Sequence, residues 1–555
     1  MVRAMRREDQ ERILTDVESR TVQAVVTAAR RGGPRLDEVV ADSIYHELRR
    51  VSEEKDPSTK QRERAFYDEI RRGMPRASDR ALQSLLEQVV RRYAGEIKGN
   101  FDERVYKAVT RAGEPALGLL MNAVSPKILL ERFPEVPRFD DAIVIQGEIE
   151  RLRRLHELGT VILVPTHVSN MDSIVVGYVL YKMGLPPFIY GAGLNLFSNP
   201  LIGFFMHNLG AYTVDRRKTD PLYKTTLKNY AQLTLEHGYD NIFFPGGTRS
   251  RSGAIETKLK LGLLGTGVGA FTENLLRKKP GPRVFIVPAT LSYQLVLEAE
   301  TLVDDFLKEV GKARYIITDD EFAKPKRVFD FLMQNLSLDA KIVFTVGRGF
   351  DPFGNDVDEE GESLDPHGRR IDPALYVMRD GVPVHDDQRD EEFTKAAGAR
   401  ISEAFLKDNV IQATNVVARA MFVLLRRLNP DTDIVRLLRT GAAVEDVELL
   451  LLYEETERLL RELRGLSARG GIRLSKLVET AAADDVVSEG LRGFALYHTR
   501  AAALRRGDRV FANDKQLLFY YQNRLEGYRL ERSAGQKPAL TADHRNIRGL
   551  AKGAA

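Results

Sequence analysis

Between about residues 140 and 350, short β-prone runs alternate with helix-compatible stretches. The runs are TVILVP (160–165), NIFFP (241–245), RVFIVPA (283–289), ARYIIT (313–318) and KIVFTV (341–346). DPLYKTTLKNYAQLTLEHG (220–238) and GAIETKLKLGLLGTGVGAFTENLLRK (253–278) are helix-compatible stretches among them. The runs are almost continuously apolar, without the in-and-out alternation of a sheet that faces water on one side. Such strands need cover on both faces, which helices supply. The expected fold is therefore α/β, with a mostly parallel or mixed sheet flanked by helices. Strand order does not follow from one sequence.

This segment occupies the middle of a 555-residue chain, which is long enough for more than one apolar core. Residues 1–135 read as a helical N-terminal domain, with apolar residues at three- and four-residue spacing in ERILTDVESRTVQAVVTAAR and RALQSLLEQVVRRYAGEI. RRGGPR and RRGMPRASD separate those helices. The α/β domain is placed at 136–350, and 351–395 is a connector rich in acids and turn residues. Residues 396–555 read as mainly helical, with a loose final twenty residues. The connector lacks the register of acids that an EF-hand needs, so it is expected to be a structured surface loop.

Charge and cysteine content narrow the chemistry. The net charge is +4 with no dense basic patch, which argues against nucleic-acid binding. Local basic clusters occur at RAMRR (3–7), RLRRL (151–155) and RRK (216–218), and either solvated helix surface or contact with anionic lipid or phosphate explains them. The absence of cysteine removes disulfides, thiolate nucleophiles and cysteine-ligated metals. MVRAMRREDQERI has no apolar core, so no signal peptide is expected. Residues 183–214 contain no Asp, Glu, Lys or Arg, yet glycine, proline and asparagine interrupt them too often for a spanning helix. Buried core is one reading of that stretch, and an acyl groove or membrane-surface segment is the other.

Four strand ends carry candidate chemistry. VILVPTHVSNMD delivers His167, with Asp172 five positions later. A carboxylate that accepts from one imidazole nitrogen leaves the other free to take a proton. The alternative is a helix-capping aspartate beside an ordinary buried histidine. LGAYTVDRR ends in Asp215, Arg216 and Arg217, where an arginine fork suits a phosphate. NIFFPGGTRSRSG places Gly246, Gly247, Thr248, Arg249, Ser250 and Arg251 after a strand, an oxyanion receptor that lacks the P-loop pattern. VFIVPATLSY runs through Pro288 and reads as a wall of the site.

Taken in order, these segments resemble the four blocks of the glycerolipid acyltransferase superfamily. HVSNMD matches its His-x4-Asp block, GAYTVDR its arginine block, FFPGGTRSRSG its Arg/Gly-rich block and IVPATLSY its proline-containing block. The chain is most similar to bacterial and mitochondrial glycerol-3-phosphate 1-O-acyltransferases. GTRSRSG, FGNDVDEEGESLDPHGRRID, DDQRDEEFTKAAGARI and KQLLFYYQNRLEGY extend the resemblance over roughly residues 140–530. The resemblance implies an acyltransferase-type fold, with His167 as catalytic base and Asp172 as its partner. It implies Arg216, Arg249 and Arg251 as ligands of the acceptor phosphate. The donor would be acyl-CoA or acyl-carrier protein, and the acceptor glycerol 3-phosphate. No metal and no cofactor is required, and peripheral attachment to the cytoplasmic face of the cell membrane is expected. Dihydroxyacetone phosphate and 1-acylglycerol 3-phosphate are alternative acceptors, and a non-catalytic lipid-binding protein of the same fold is the alternative outside enzymes. One position departs from the family pattern. Gly246 stands where the family normally has glutamate, and an acid such as Asp215 or Glu256 is a candidate to compensate.

Overall fold

The computed structural model describes residues 5–107, 142–194, 200–310, 342–439, 441, 443–495 and 498–530. Its centre is a mixed seven-stranded sheet. The strands are β1 (Ile143–Gly147), β2 (Thr160–Pro165), β3 (Ile189–Gly193), β4 (Ala211–Val214), β5 (Asn241–Ile242), β6 (Val284–Tyr293) and β7 (Ile342–Val346), in the order β1-β7-β6-β2-β5-β3-β4. Every neighbouring pair is parallel except β6 with β7. The expectation of an α/β fold with flanking helices is met. The runs at 160–165, 241–245, 283–289 and 341–346 all contribute strands, while the run at 313–318 lies outside the described residues.

Strand β2 sits near the middle of the sheet and all six of its residues are buried. It pairs with β6 from Thr160↔Val284 to Pro165↔Ala289, and with β5 at Ile162↔Asn241 and Leu163↔Ile242. Because β2, β4, β5 and β6 run the same way, the segments after them emerge along one edge. In open α/β sheets ligands bind at this carboxyl edge. Strands β2 and β4 are three steps apart, about 14 Å at the usual interstrand spacing.

The charge-free stretch 183–214 supplies β3, the helix Pro200–Asn208 and β4. Met183, Leu185, Phe188, Ile189, Ala192, Met206, Ala211 and Tyr212 are buried in the core, while Leu194 and Phe204 stay exposed. Most of its described apolar surface thus serves packing. Among the described residues no helix is long and apolar enough to cross a membrane.

Two expected helices are shorter than their sequence pattern. In 253–278 the helix starts only at Thr266. Gly253 has φ +79 and packs its backbone against the Tyr520 carbonyl, and Lys260 N–H donates to the Pro245 carbonyl at 2.7 Å. Those long-range contacts hold 253–265 as a loop against the site. The pattern over 393–428 is divided by the strand Val410–Ile411, which pairs in parallel with Arg473–Leu474. The connector contains a three-stranded meander built on a seven-residue repeat, D-x-x-G at 351, 358 and 365. Each aspartate carboxylate accepts backbone amides two and four residues on, and each glycine takes φ between +77 and +90.

Of the N-terminal helices α1 (Arg7–Arg30), α2 (Leu36–Ser52), α3 (Pro57–Gly73) and α4 (Asp79–Ile97), the first, second and fourth pack on the helix Pro221–Glu236 and α3 packs on α2. Their polar contacts concentrate on the loop after β4. Lys218 Nζ lies 2.9 Å from Glu47 and 2.6 Å from Glu96, over the rings of Tyr93 and Tyr223. The Tyr93 hydroxyl donates to Asp220 at 2.6 Å, and Arg217 pairs with Glu54 at 3.3 Å. The Lys218 and Glu47 side chains are almost completely buried, and Glu47 is held also by Arg50 at 2.8 Å, so losing Lys218 removes charge-assisted bonds without stranding that carboxylate. The variant K218A is therefore expected to lose about 1.5–3 kcal/mol of stability, read from its denaturant midpoint at constant m-value.

Candidate active site

The turn after β2 is organised by Asp172, the first residue of the helix Asp172–Lys182. Its side chain is fully buried. One carboxylate oxygen accepts the backbone N–H of Val168 at 2.6 Å and of Ser169 at 3.0 Å, and lies 2.8 Å from His167 Nδ1. The other accepts the Tyr293 hydroxyl at 2.6 Å. This carboxylate does not cap its own helix, since it reaches back to the preceding turn. A carboxylate surrounded by donors accepts the Nδ1 proton, which assigns that tautomer to the imidazole and leaves Nε2 as the basic nitrogen. His167 packs against the Phe244 ring at 4.6 Å between centroids and keeps an exposed edge. That is the geometry of an oriented general base.

A second carboxylate joins this turn to the arginines. Glu298, fully buried, accepts the Ser169 hydroxyl at 2.8 Å and the Asn170 amide at 3.0 Å, and pairs with Arg249 at 3.2 Å. Ser250 N–H donates to the His167 carbonyl at 2.8 Å. Arg249 is thereby held beside the histidine. Arg251 pairs with Glu309 at 2.8 Å at the surface. Arg216 arrives from β4, where Arg217 ties Asp215 at 3.2 Å and Tyr223 accepts the Asp215 amide at 2.9 Å. The surrounding protein, and then the like charges of Arg249 and Arg251, push the Arg216 guanidinium below its ordinary value. Three guanidiniums from two strand ends therefore converge, and Arg216 has no carboxylate partner among the described residues. Clustered arginines of this kind form a receptor for a phosphate dianion.

Gly247 has φ +68 and closes a tight turn, its N–H donating to the Phe244 carbonyl at 3.1 Å. Gly246 faces the carboxyl end of Glu256. A Cβ there would lie 2.2 Å from Oε1 and 2.5 Å from Cδ of Glu256. Of the two candidate acids, Asp215 is committed to Arg217 and Glu256 occupies the position against Gly246. Thr248 and Ser250 are partly buried in the same turn, and the Ser250 hydroxyl donates to the Ala254 carbonyl at 2.7 Å. Pro288 is buried within β6 opposite Val164, upstream of the strand's end, and its carbonyl accepts Gly347 N–H at 2.8 Å.

Tyr293, Glu298 and Arg524 complete the surroundings of the site and were not singled out from sequence. Tyr293 ends the VPATLSY run, so its proximity to the site had a signal there. Arg524 falls within the KQLLFYYQNRLEGY segment of the resemblance, but nothing in sequence tied either it or Glu298 to the residues they serve. Arg524, buried, donates to Asn409 Oδ1 at 2.7 Å and to the Leu291 carbonyl at 2.9 Å, which brings the C-terminal segment against β6.

Residues 146–292 match the family model described as Acyltransferase. Over 211 residues the chain is 32% identical to a glycerol-3-phosphate acyltransferase of Aeromonas hydrophila, covering 38% of this chain and 23% of that one. Over 273 residues it is 29% identical to one of Actinobacillus succinogenes, covering 48% and 29%. A third, from Pseudomonas fluorescens, is 32% identical over 202 residues, covering 34% and 23%. The match spans about a quarter of the length of these relatives. It contains His167, Asp172, Arg216 and Arg249 within the family model's bounds.

Two measurements check this geometry without an activity assay. Y293F leaves one Asp172 oxygen without its donor and is expected to cost about 1–3 kcal/mol in denaturant unfolding. Inorganic phosphate at a hundred times its Kd is expected to stabilise the wild type by about 2.7 kcal/mol, seen as a rise in Tm. R216A should abolish most of that rise.

Proposed function

We propose that this chain transfers a fatty acyl group from a thioester, acyl-CoA or acyl-carrier protein, to the sn-1 hydroxyl of glycerol 3-phosphate. The observation that carries the proposal is the His167–Asp172 pair beside three converging arginines at one sheet edge. A phosphate in the arginine cluster tethers the acceptor, and a hydroxyl on the same molecule then reaches Nε2 of His167. His167 removes the hydroxyl proton as the oxygen attacks the thioester carbonyl. The tetrahedral intermediate expels the thiolate, which leaves as thiol on taking that proton from the imidazolium. Asp172 stabilises the imidazolium between these steps. The positioned proton transfer supplies roughly 10²–10⁴ in rate, and holding the acceptor in place supplies more.

The relatives' printed activity supports the choice of acceptor, as does the match of the arginine segments. A fatty chain resists transfer to water by about 0.8 kcal/mol per methylene, so donor and product favour a lipid phase. We accordingly propose a peripheral position on the cytoplasmic face of the membrane, with Leu194 and Phe204 as exposed apolar residues of the segment that joins β3 to β4.

The test is a steady-state assay of one acyl thioester with glycerol 3-phosphate, dihydroxyacetone phosphate and 1-acylglycerol 3-phosphate. Glycerol 3-phosphate is expected to give the largest kcat/KM, and a preference for either other acceptor rejects the assignment. H167A is expected to lower kcat by about 10²–10⁴ while leaving the phosphate-induced rise in Tm in place. R249A should chiefly raise the acceptor KM.

A further inference from the structure

The loop 253–265 carries a carboxyl group that the mechanism above does not use. Both carboxyl oxygens of Glu256 are buried, and neither has a hydrogen-bond partner of good geometry. A buried carboxyl in that condition costs free energy, so its place in the fold calls for a reason. It lies directly under Gly246, and all three atoms nearest a Cβ at Gly246 belong to it. The Gly246 backbone is not in the left-handed region, so a side chain there would meet no backbone strain, only the carboxyl end of Glu256, which would have to move aside. The backbone of His167 faces the same carboxyl. Glu256 is therefore wedged between the turn that delivers Arg249 and the residue that serves as base. Lys260 lies along Gly247 on the other side of that turn, and its N–H ties the loop to Pro245.

We propose that Glu256 is a positioning residue of this site, whose carboxyl, seated in the space left by Gly246, sets the arginine turn against the His167 backbone. The inference rests on the acyltransfer reading only for its kinetic consequences. Its geometry stands apart from it. The charged groups facing Glu256 are Asp172 from the His167 turn and Arg524 from the C-terminal segment. Burial, followed in the same direction by the Asp172 charge, raises the Glu256 carboxyl from the ordinary 4.5 to about 8, against the lowering effects of the His167 backbone and Arg524. At neutral pH it is thus mainly the protonated, neutral form that fills the wedge, as a donor as well as an acceptor. Ionisation above pH 8 places a second negative charge beside Asp172 and loosens the turn.

The sign of the linkage follows. Between pH 4.5 and about 8 the folded protein retains a proton that the unfolded chain has released, so this group lowers stability as pH rises through that window. In E256Q that loss disappears. The Tm of E256Q relative to wild type is expected to rise steadily from pH 5 to pH 8, and a constant difference overturns the buried neutral carboxyl whether or not the protein transfers acyl groups.

The kinetic arm uses four variants, each compared with a wild type of measured acyltransferase activity. E256A is expected to lower kcat at least tenfold at pH 7, with a smaller change in acceptor KM, and E256Q to restore most of that loss. The alkaline fall of wild-type kcat above pH 8 should be absent in E256Q. G246E in the E256A background, which returns a carboxyl to the same space from the other strand of the turn, is expected to recover activity that neither G246E nor E256A has alone. Wild-type kcat and an unchanged pH profile in E256A overturn the proposal. Failure of the double variant to exceed either single variant also overturns it. A wild type inactive on every acceptor overturns the acyltransfer reading, and the Tm comparison then decides Glu256 by itself.

Discussion

The buried carboxylate of Asp172 is the contact on which the site depends. Four donors converge on it, two of them backbone amides of the turn, one the imidazole of His167 and one the last residue of the neighbouring long strand. The two backbone bonds fold the turn, the imidazole bond selects the tautomer, and the tyrosine bond fixes the turn to β6. The structural role of this aspartate is thus compatible with the catalytic one proposed for it. The bonds that shape the backbone also aim Nε2 outward. A helix N-terminus is also a favourable place for negative charge, which lowers the cost of keeping this carboxylate out of water.

Around that centre the fold acts as a set of braces. Parallel strands bring three separate loops to one edge, and each loop is held from a different side. The N-terminal bundle grips the loop after β4 through Lys218, Arg217 and Asp220. Glu298 joins the histidine turn to Arg249, and the C-terminal segment supports β6 and Ser252 through Arg524 and Asn523. The helices on either side of the sheet in sequence thus take part in arranging the cation cluster. Concentrated like charge is unfavourable in the free protein, so rigid support is what keeps Arg216 beside Arg249 and Arg251 and ready for an anion.

The general form of the fold was legible because unbroken apolar runs such as TVILVP demand a buried sheet. The ends of those runs pointed to His167, Asp172 and the three arginines. What was not legible depends on contacts across long sequence separations. Residues 253–265 have helical spacing, yet bonds from Lys260 to Pro245 and the approach of Gly253 to Tyr520 outweigh the local preference. Strands β3 and β4 were obscured in an apolar stretch whose composition suits lipid and protein core equally. The seven-residue D-x-x-G repeat of the connector was in plain view and could have been read as successive aspartate-capped turns. Gly246 read as a lost carboxylate, and three-dimensional proximity brings in a carboxyl group, neutral at pH 7, from ten residues further along the chain.

The central claim is that a phosphate held by the arginines presents a hydroxyl to His167. It is tested most directly by comparing kcat/KM for glycerol 3-phosphate with that for glycerol, using the same acyl thioester. Charge-assisted contacts with two or three guanidiniums, each worth about 1.5–3 kcal/mol, predict a preference of at least a hundredfold for the phosphorylated acceptor. Equal kcat/KM for the two acceptors would contradict the account.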